Sequence, residues 1–191
     1  GIIMNKTKRS IFESAIKVFS IYGYDVATMD EIAAEAGVAK GTLYYHFKSK
    51  EEIFRYIIEE GMKLISSRIE GVVKQESDSM SKLKALCKVQ LSLVYDNRNF
   101  FKVIMSQLWG QELRQLQLRE SIEQYIKDIE EYLEEAMKDG FIKNGDKSFM
   151  AYTIFGMLCS AAVYELINED KNNIDEVVDN LMNYILRGIE A

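Results

Sequence analysis

The residue types between positions 40 and 50 suit contact with the phosphates and base edges of a nucleic acid. Lys40 offers a charge to a phosphate or a guanine edge, Thr42 offers a hydroxyl, and Gly41 lets a partner approach the backbone closely. Flat rings with polar tips follow at Tyr44, Tyr45 and His46. A solvated helix face accounts for the same residues equally well on spacing alone, so both interpretations stay open.

Two capping boxes predict where the helices that carry these residues begin. Thr28 and Glu31 have the spacing in which a hydroxyl serves the third amide of a helix while the carboxylate reaches back, and Ser49 and Glu52 repeat it. A helix start presents free amides to an anion. Thr28 and Lys50 are therefore candidate phosphate contacts.

Between these two starts the sequence predicts a helix-turn-helix. Gly37 stands where a tight turn needs a left-handed residue, and a short helix then runs from about Lys40 to His46. Leu43 and Phe47 lie four residues apart and are expected to face inward with Val38. With another helix packed behind, this arrangement would project the short helix into a DNA major groove.

The rest of the chain is also predicted to be helical. Proline is absent and apolar residues recur at helical spacing, which predicts an all-α fold of about nine helices. We expect an N-terminal helix-turn-helix DNA-binding domain at residues 1–48 and a helical regulatory and dimerisation domain at 49–191, beginning with a connecting helix at 49–75. The apolar series that predicts the continuation of that helix is Ile53, Ile57, Leu64, Ile65, Ile69 and Val72.

Composition narrows the classes of function. Residues 1–50 hold seven basic and five acidic side chains, which leaves a net charge of −8 for the remainder of a chain whose total is −6. An acidic protein can still bind DNA when its basic groups cluster, because phosphate attraction is local. One histidine and two well-separated cysteines, Cys87 and Cys159, predict neither a metal site nor a disulfide, and no cofactor is expected.

The continuous stretch from Thr28 to Glu52 resembles the signature of the tetracycline-repressor (TetR/AcrR) family of transcriptional regulators. The resemblance implies that operator phosphates or bases are contacted by Thr28, Lys40, Thr42, Tyr44, Tyr45, His46 and Lys50. One departure is Ala39, where relatives often have serine, so the short helix from about Lys40 to His46 lacks a side-chain cap. The resemblance further implies a helical body that forms a homodimer and holds a small-molecule pocket.

Small residues in the uncharged stretch Ser148–Tyr164 would allow another helix to approach closely. Together with the closing helix they predict a dimer interface at Gly156, Ser160, Ala161, Val178, Leu181 and Ile185. A monomer that buries these helices in its own core is the alternative. The stretch is interrupted by polar residues and is too short to span a membrane, so no membrane partner is expected.

Bulky and adaptable apolar side chains with a few polar tips suggest a pocket for a small apolar or aromatic effector. The predicted ligand-binding residues are Cys87, Leu91, Tyr95, Phe101, Met105, Trp109, Tyr125 and Met157. Apolar residues at helical spacing are equally what any core contains, so that alternative stays open.

These features together predict a cytoplasmic, ligand-responsive transcriptional regulator, a repressor that binds palindromic double-stranded operator DNA as a homodimer. A DNA-binding dimer without a small-molecule inducer is the alternative. An enzyme is not expected, because the sequence has no glycine-rich phosphate loop and no nucleophile motif.

Overall fold

The computed structural model describes residues 5–168 and 173–188; residues 1–3, which the sequence-based prediction of the fold leaves aside, lie outside these ranges. Within the described residues the chain forms nine α-helices and no strand, which confirms the predicted fold class. The helices are α1 Lys6–Tyr22, α2 Met29–Ala36, α3 Lys40–His46, α4 Lys50–Val73, α5 Ser79–Asp96, α6 Arg98–Ser106, α7 Leu113–Lys138, α8 Lys147–Ile167 and α9 Ile174–Arg187.

The connecting helix α4 is slightly shorter than predicted and has a different inner face near its end. Ile65, Ile69 and Val73 are buried at four-residue spacing. Leu64, a member of the apolar series, is 56% exposed, and Val73 is buried in place of Val72. The reason is geometric: at about 3.6 residues per turn, positions one residue away from the 65–69–73 series are rotated about 100° from it.

By its backbone packing the chain divides into two compact units. The first comprises the described residues up to Met62 together with Asn99–Ser121, and the second comprises Lys63–Arg98 together with the described residues from Ile122 onward. The chain passes from one unit to the other three times, within α4, at the first residue of α6 and within α7. The predicted boundary between residues 48 and 49 separates a DNA-binding domain from a regulatory domain by function and not by packing. It stays a prediction.

The first unit is built around an aromatic cluster. The ring of Tyr24 lies 5.3 Å from that of Phe19 and 5.4 Å from that of Phe54, measured between centroids, and all three side chains are buried. Gly61 of α4 faces the Phe100 ring, which would lie 2.4 Å from a Cβ at that position. Any larger residue at position 61 would therefore require the Phe100 ring to move.

In the second unit α5 packs against α8 and α9. The buried face of α8 is formed by Ala151, Ile154, Leu158, Ala161 and Glu165. At 21 residues α8 is longer than the uncharged stretch suggested, and it is the one described helix that is long and apolar enough to cross a membrane. Because its inner face belongs to the core of the unit, its composition is also that of a core helix.

Candidate nucleic-acid interface and effector site

The N-terminus of α2 is closed by the predicted capping box. The Thr28 hydroxyl accepts a hydrogen bond from the Glu31 amide at 3.2 Å, and the Glu31 carboxylate accepts one from the Thr28 amide at 3.0 Å. The carboxylate therefore already occupies the Thr28 amide. The hydroxyl proton is the group of Thr28 that remains available for a phosphate.

The turn between α2 and α3 also has the predicted geometry. Gly37 adopts the left-handed conformation with φ 66° and ψ 30°, and the Val38 amide donates back to the Ala33 carbonyl at 3.1 Å. This backbone pattern satisfies the last carbonyls of α2 and redirects the chain. Ala39 precedes α3 without a side-chain cap, as the sequence indicated.

Helix α3 presents a polar and aromatic face away from its buried side. Leu43 and Phe47 are buried, while the ring of Tyr45 is 78% exposed. The other predicted DNA-binding residues of α3 are placed as follows: Lys40, Gly41 and Tyr44 are exposed, and Thr42 and His46 are half-buried. The Tyr45 and His46 rings lie 5.1 Å apart, edge to face.

Lys40 has a carboxylate partner in the preceding helix. Its ammonium lies 2.9 Å from Asp30, and the hydrogen bond to Asp30 raises the pKa of Lys40. Both side chains are well exposed, so the pair is weak and can exchange for another anion. Lys40 must release Asp30, or share its charge with it, when it binds a phosphate.

Lys50 is held by the loop that leads into α2. Its ammonium donates to the Tyr24 carbonyl at 2.6 Å and to the Asp25 carbonyl at 3.2 Å, and it lies 4.5 Å from the centroid of the Tyr24 ring. The Ser49 hydroxyl accepts from the Glu52 amide, whereas Glu52 reaches the Lys48 amide instead of that of Ser49. The second capping box is thus formed in part.

A second cation contacts the same loop and has no signal in the sequence. The Arg114 guanidinium of α7 lies 3.9 Å from the centroid of the Tyr24 ring and 3.5 Å from the Asp25 carboxylate. Gln107 accepts a hydrogen bond from it at 3.2 Å. Burial, followed by the charge of Glu51, raises the pKa of Tyr24, so the ring stays neutral between its cations.

The predicted ligand-binding residues do not lie in one unit. Phe101, Met105 and Trp109 belong to the first unit, and the other five belong to the second. The Trp109 side chain is 83% exposed, and its loop is pinned by hydrogen bonds to backbone carbonyls. Arg119 donates to the carbonyls of Leu108 and Gly110, and Gln115 donates to that of Trp109.

In the second unit, three helices contribute polar side chains to the surroundings of the Tyr125 hydroxyl. Cys87 and Gln90 come from α5, Tyr125 from α7 and Cys159 from α8, and the first two and Cys159 lie near enough to Tyr125 to affect the pKa of its hydroxyl. We call these four residues the Gln90 cluster. Of the remaining predicted ligand residues in this unit, Leu91 is buried, and Tyr95 and Met157 are half-buried. Sequence analysis missed Gln90 because a single glutamine has no distinguishing local pattern.

A surface groove of about 490 Å³ lies on the other side of α5. It carries Arg68, Lys84 and Lys88 together with Glu76 and Asp96. None of the predicted ligand-binding residues lines it.

The predicted dimer residues fall on different faces. Ala161 and Val178 are buried inside the second unit, Leu181 and Ile185 are half-buried, and Gly156 and Ser160 are exposed. Apolar side chains that sequence analysis missed lie on the outer surface of α8 and α9: Phe149, Tyr152, Val163, Ile167 and Tyr184. Phe149, Gly156, Ser160, Val163 and Ile167 follow helical spacing, so they share one outward face of α8.

Comparisons with known proteins cover nearly the whole chain. Residues 11–57 match bacterial regulatory proteins of the tetR family, and residues 58–188 match the C-terminal region of YsiA-like proteins. The fatty acid metabolism regulator protein of Bacillus subtilis (strain 168) is 30% identical over 186 residues, which cover 94% of this chain and 93% of that protein.

Solved structures are similar over the same extent. The "Clostridium perfringens putative fatty acid metabolism regulator" is 46% identical, with a TM-score of 0.89 over 95% of this chain and 99% of that one. The transcriptional regulator FadR from Bacillus subtilis, solved in complex with stearoyl-CoA, is 26% identical, with a TM-score of 0.83 and the same coverage.

Proposed function

Because this chain belongs to the tetR family of bacterial transcriptional regulators, we propose that it is a cytoplasmic repressor that binds a palindromic operator as a homodimer and is released by an acyl-CoA. The observation that carries the proposal is the outward face of α3, where Tyr45 is 78% exposed opposite the buried Leu43. Such a helix can enter a major groove without losing its anchorage in the core.

The roles of the DNA-binding residues follow from their chemistry. Lys40 and Lys50 supply positive charge for phosphates, and the Thr28 hydroxyl supplies a donor at the start of α2. Polar groups for contact with bases or the DNA backbone are supplied by Tyr44, Tyr45, Thr42 and His46. Gly41 has no side chain, which lets the DNA approach the helix backbone closely. The acidic body adds long-range repulsion from DNA, so binding depends on this small face and on two copies of it acting together.

The outer face of α8 supports dimerisation. Phe149, Val163 and Ile167 are large apolar side chains that expose 71%, 41% and 74% of their surface, and Gly156 and Ser160 lie between them. An apolar face with small residues at its centre lets two helices approach closely. A two-fold dimer would set two α3 helices about 34–36 Å apart, or a multiple of that distance, which matches successive major grooves.

The effector class rests on the relatives and on the body of this chain. The Bacillus subtilis FadR structure contains stearoyl-CoA, and its sequence is 26% identical to this chain. The second unit has the apolar side chains that an acyl tail requires, including Leu91 and Met157 beside the Gln90 cluster. Trp109 is left out of the proposed effector site because its ring faces solvent.

Release requires that the effector bind one conformation better than the other, because equal affinity shifts no equilibrium. Helix α4 is one covalent connection between the two units, and it begins at Lys50. A displacement of α4 on effector binding would therefore move Lys50 and the loop that it holds.

The test is fluorescence anisotropy with the DNA upstream of the gene, at several salt concentrations, with and without acyl-CoA. We expect salt-dependent, sequence-preferring binding and its loss when the effector is added. DNA binding that acyl-CoA leaves unchanged would support a DNA-binding dimer without an inducer. Thermal denaturation separates the cases further, since a bound effector raises the melting temperature with its concentration.

A further inference from the structure

Gln90 is a buried amide whose hydrogen-bonding capacity is largely unused. Its side chain is 2% exposed, and neither Nε2 nor Oε1 makes a well-formed hydrogen bond among the described residues, although the side chain is close enough to the Tyr125 hydroxyl to lower the pKa of that group. Buried amides without partners are rare in proteins, because a group that has left water without replacing its hydrogen bonds destabilises the fold. A residue retained at this cost calls for a functional explanation.

The residue that interacts with Gln90 is largely withdrawn from water. Tyr125 lies deep enough among the helices that burial raises the pKa of its hydroxyl, and part of the residue keeps accessible surface. Cys159 likewise has a pKa raised by burial while it stays half-buried, and the pKa of Cys87 rises to about 12 for the same reason.

The groups around Tyr125 indicate which ligand atoms could bind beside it. The groups that act most strongly on the ionisation of Tyr125, after burial itself, are Cys87, Gln90, Asp128 and Cys159, and none of them is cationic. A carboxylate bound here would be desolvated without a counter-charge, which is unfavourable. A neutral oxygen would instead gain an amide N–H donor, a phenol and an amide acceptor.

Building on the proposed effector class, we propose that Gln90, together with Tyr125, binds a neutral oxygen on an otherwise apolar effector. That oxygen is the thioester carbonyl of an acyl-CoA or a hydroxyl on its acyl chain. A carbonyl accepts from Nε2, whereas a hydroxyl can also donate to Oε1. The free carboxylate of a fatty acid is disfavoured at this place.

The proposal predicts opposite effects of one substitution on stability and recognition. Gln90→Met keeps the approximate length of the side chain and removes the amide. The unliganded variant should melt at a higher temperature than the wild type, because the poorly paired amide at this position is gone. Its affinity should also depend less on whether the ligand carries an oxygen. Residues that serve ligands at the expense of stability show this combination.

The experiment measures calorimetric affinities of the full chain for three ligands that are identical except at the polar atom. These are dodecanoyl-CoA, S-dodecyl-CoA, which lacks the carbonyl, and 3-hydroxydodecanoyl-CoA. The proteins are the wild type, Gln90→Met and the control Leu86→Met, which changes a buried apolar residue one turn away on α5. We expect the wild type to bind its preferred oxygen-bearing ligand about tenfold more tightly than the thioether.

The two oxygen sources give different orders of affinity. Equal affinity for the thioester and the hydroxyacyl ligand indicates the carbonyl, and tighter binding of the hydroxyacyl ligand indicates the hydroxyl. Gln90→Met should lose most of the preference for an oxygen-bearing ligand, with only the Tyr125 hydroxyl left to bind the oxygen, while Leu86→Met should keep the wild-type order.

The proposal is overturned if the wild type does not distinguish the thioether from the other ligands, if Gln90→Met preserves the wild-type preference in full, or if none of the ligands binds. An operator-release measurement on the same samples tests the proposed function separately. Ligands that bind with the predicted order but leave the DNA bound would contradict acyl-CoA release and leave the role of Gln90 supported.

Discussion

The Arg114 guanidinium lies 3.9 Å from the centroid of the Tyr24 ring, which joins α7 to the loop that precedes α2. The Lys50 ammonium contacts the same ring and donates to two carbonyls of the same loop. The loop that leads to Thr28 is therefore held by one cation from α4 and one from α7. Both helices continue into the second unit, where we place the effector.

Replacing Arg114 by Met should lower the free energy of unfolding by about 1–2 kcal/mol, since a largely buried cation–ring contact is lost while the exposed Asp25 contributes little. The melting temperature should fall by about 2–8 °C. Operator affinity should fall as well, because the loop before Thr28 loses its support. Lys127→Met, which removes an exposed pair with Glu123, is the control and should change stability by less than about 0.5 kcal/mol. Wild-type stability and DNA affinity in Arg114→Met would contradict the role of this contact.

Tyr45 and Lys40 should have separable effects on DNA binding. Tyr45→Ala should reduce discrimination between the preferred operator and a scrambled duplex by about 1–3 kcal/mol, because the most exposed ring of α3 is lost. Lys40→Ala should weaken binding to both duplexes similarly and lower the salt slope by about one unit. Anisotropy titrations on both duplexes at several salt concentrations measure the two effects. The reverse assignment of effects would refute the roles proposed for these residues.

Asp30→Asn should strengthen DNA binding. The carboxylate lies 2.9 Å from Lys40 and competes with a phosphate for its ammonium. Because the pair is exposed, the expected gain is modest, up to about fivefold at low salt, and should shrink as salt is added. Combining Asp30→Asn with Lys40→Ala should abolish most of that gain if competition for Lys40 is its cause. A gain that is independent of Lys40 would point to simple removal of negative charge.

Gly156→Leu should weaken the dimer without unfolding the protomer. A Cβ at Gly156 meets no atom within 4 Å, and a leucine is favoured over glycine within a helix by about 1 kcal/mol. The larger side chain would, however, hold the outer face of α8 away from a second copy. Gly71→Leu, at another helical glycine with open space around its Cβ, is the matched control. Light scattering across a dilution series should show monomers for Gly156→Leu alone, and an unchanged dimer would exclude this face.

Stability should decline at alkaline pH partly through Cys87. Burial raises the pKa of its thiol from 9.0 to about 12, so the unfolded chain ionises first. The stabilisation is complete below about pH 9 and is lost as the pH rises towards 12. Cys87→Ala will lower stability at all pH values by creating a cavity, so the readout is the slope. Between pH 9 and 11 the slope for the variant should be shallower by up to about 1.4 kcal/mol per pH unit. Parallel curves would contradict the assignment.

The sequence alone determined the helix-turn-helix, because the signals that specify its helix starts and its turn are local. The capping box at Thr28, the left-handed turn at Gly37 and the four-residue spacing of Leu43 and Phe47 each depend on a few neighbouring residues, and each is present in the structure. The bounds of α3 and α4 were predicted to within two residues for the same reason. Backbone hydrogen bonding and turn geometry are set over one or two turns of chain.

Tertiary structure alone decided which apolar residues face outward and which polar residues are buried. Helix α8 is apolar around most of its circumference, so periodicity could not tell that Ala161 faces the core and Val163 faces outward. The contact of Arg114 with Tyr24 and the poor pairing of the Gln90 amide depend on helices that are distant in sequence. A residue's partners in such cases are set by packing, and packing is a property of the whole fold and not of the segment.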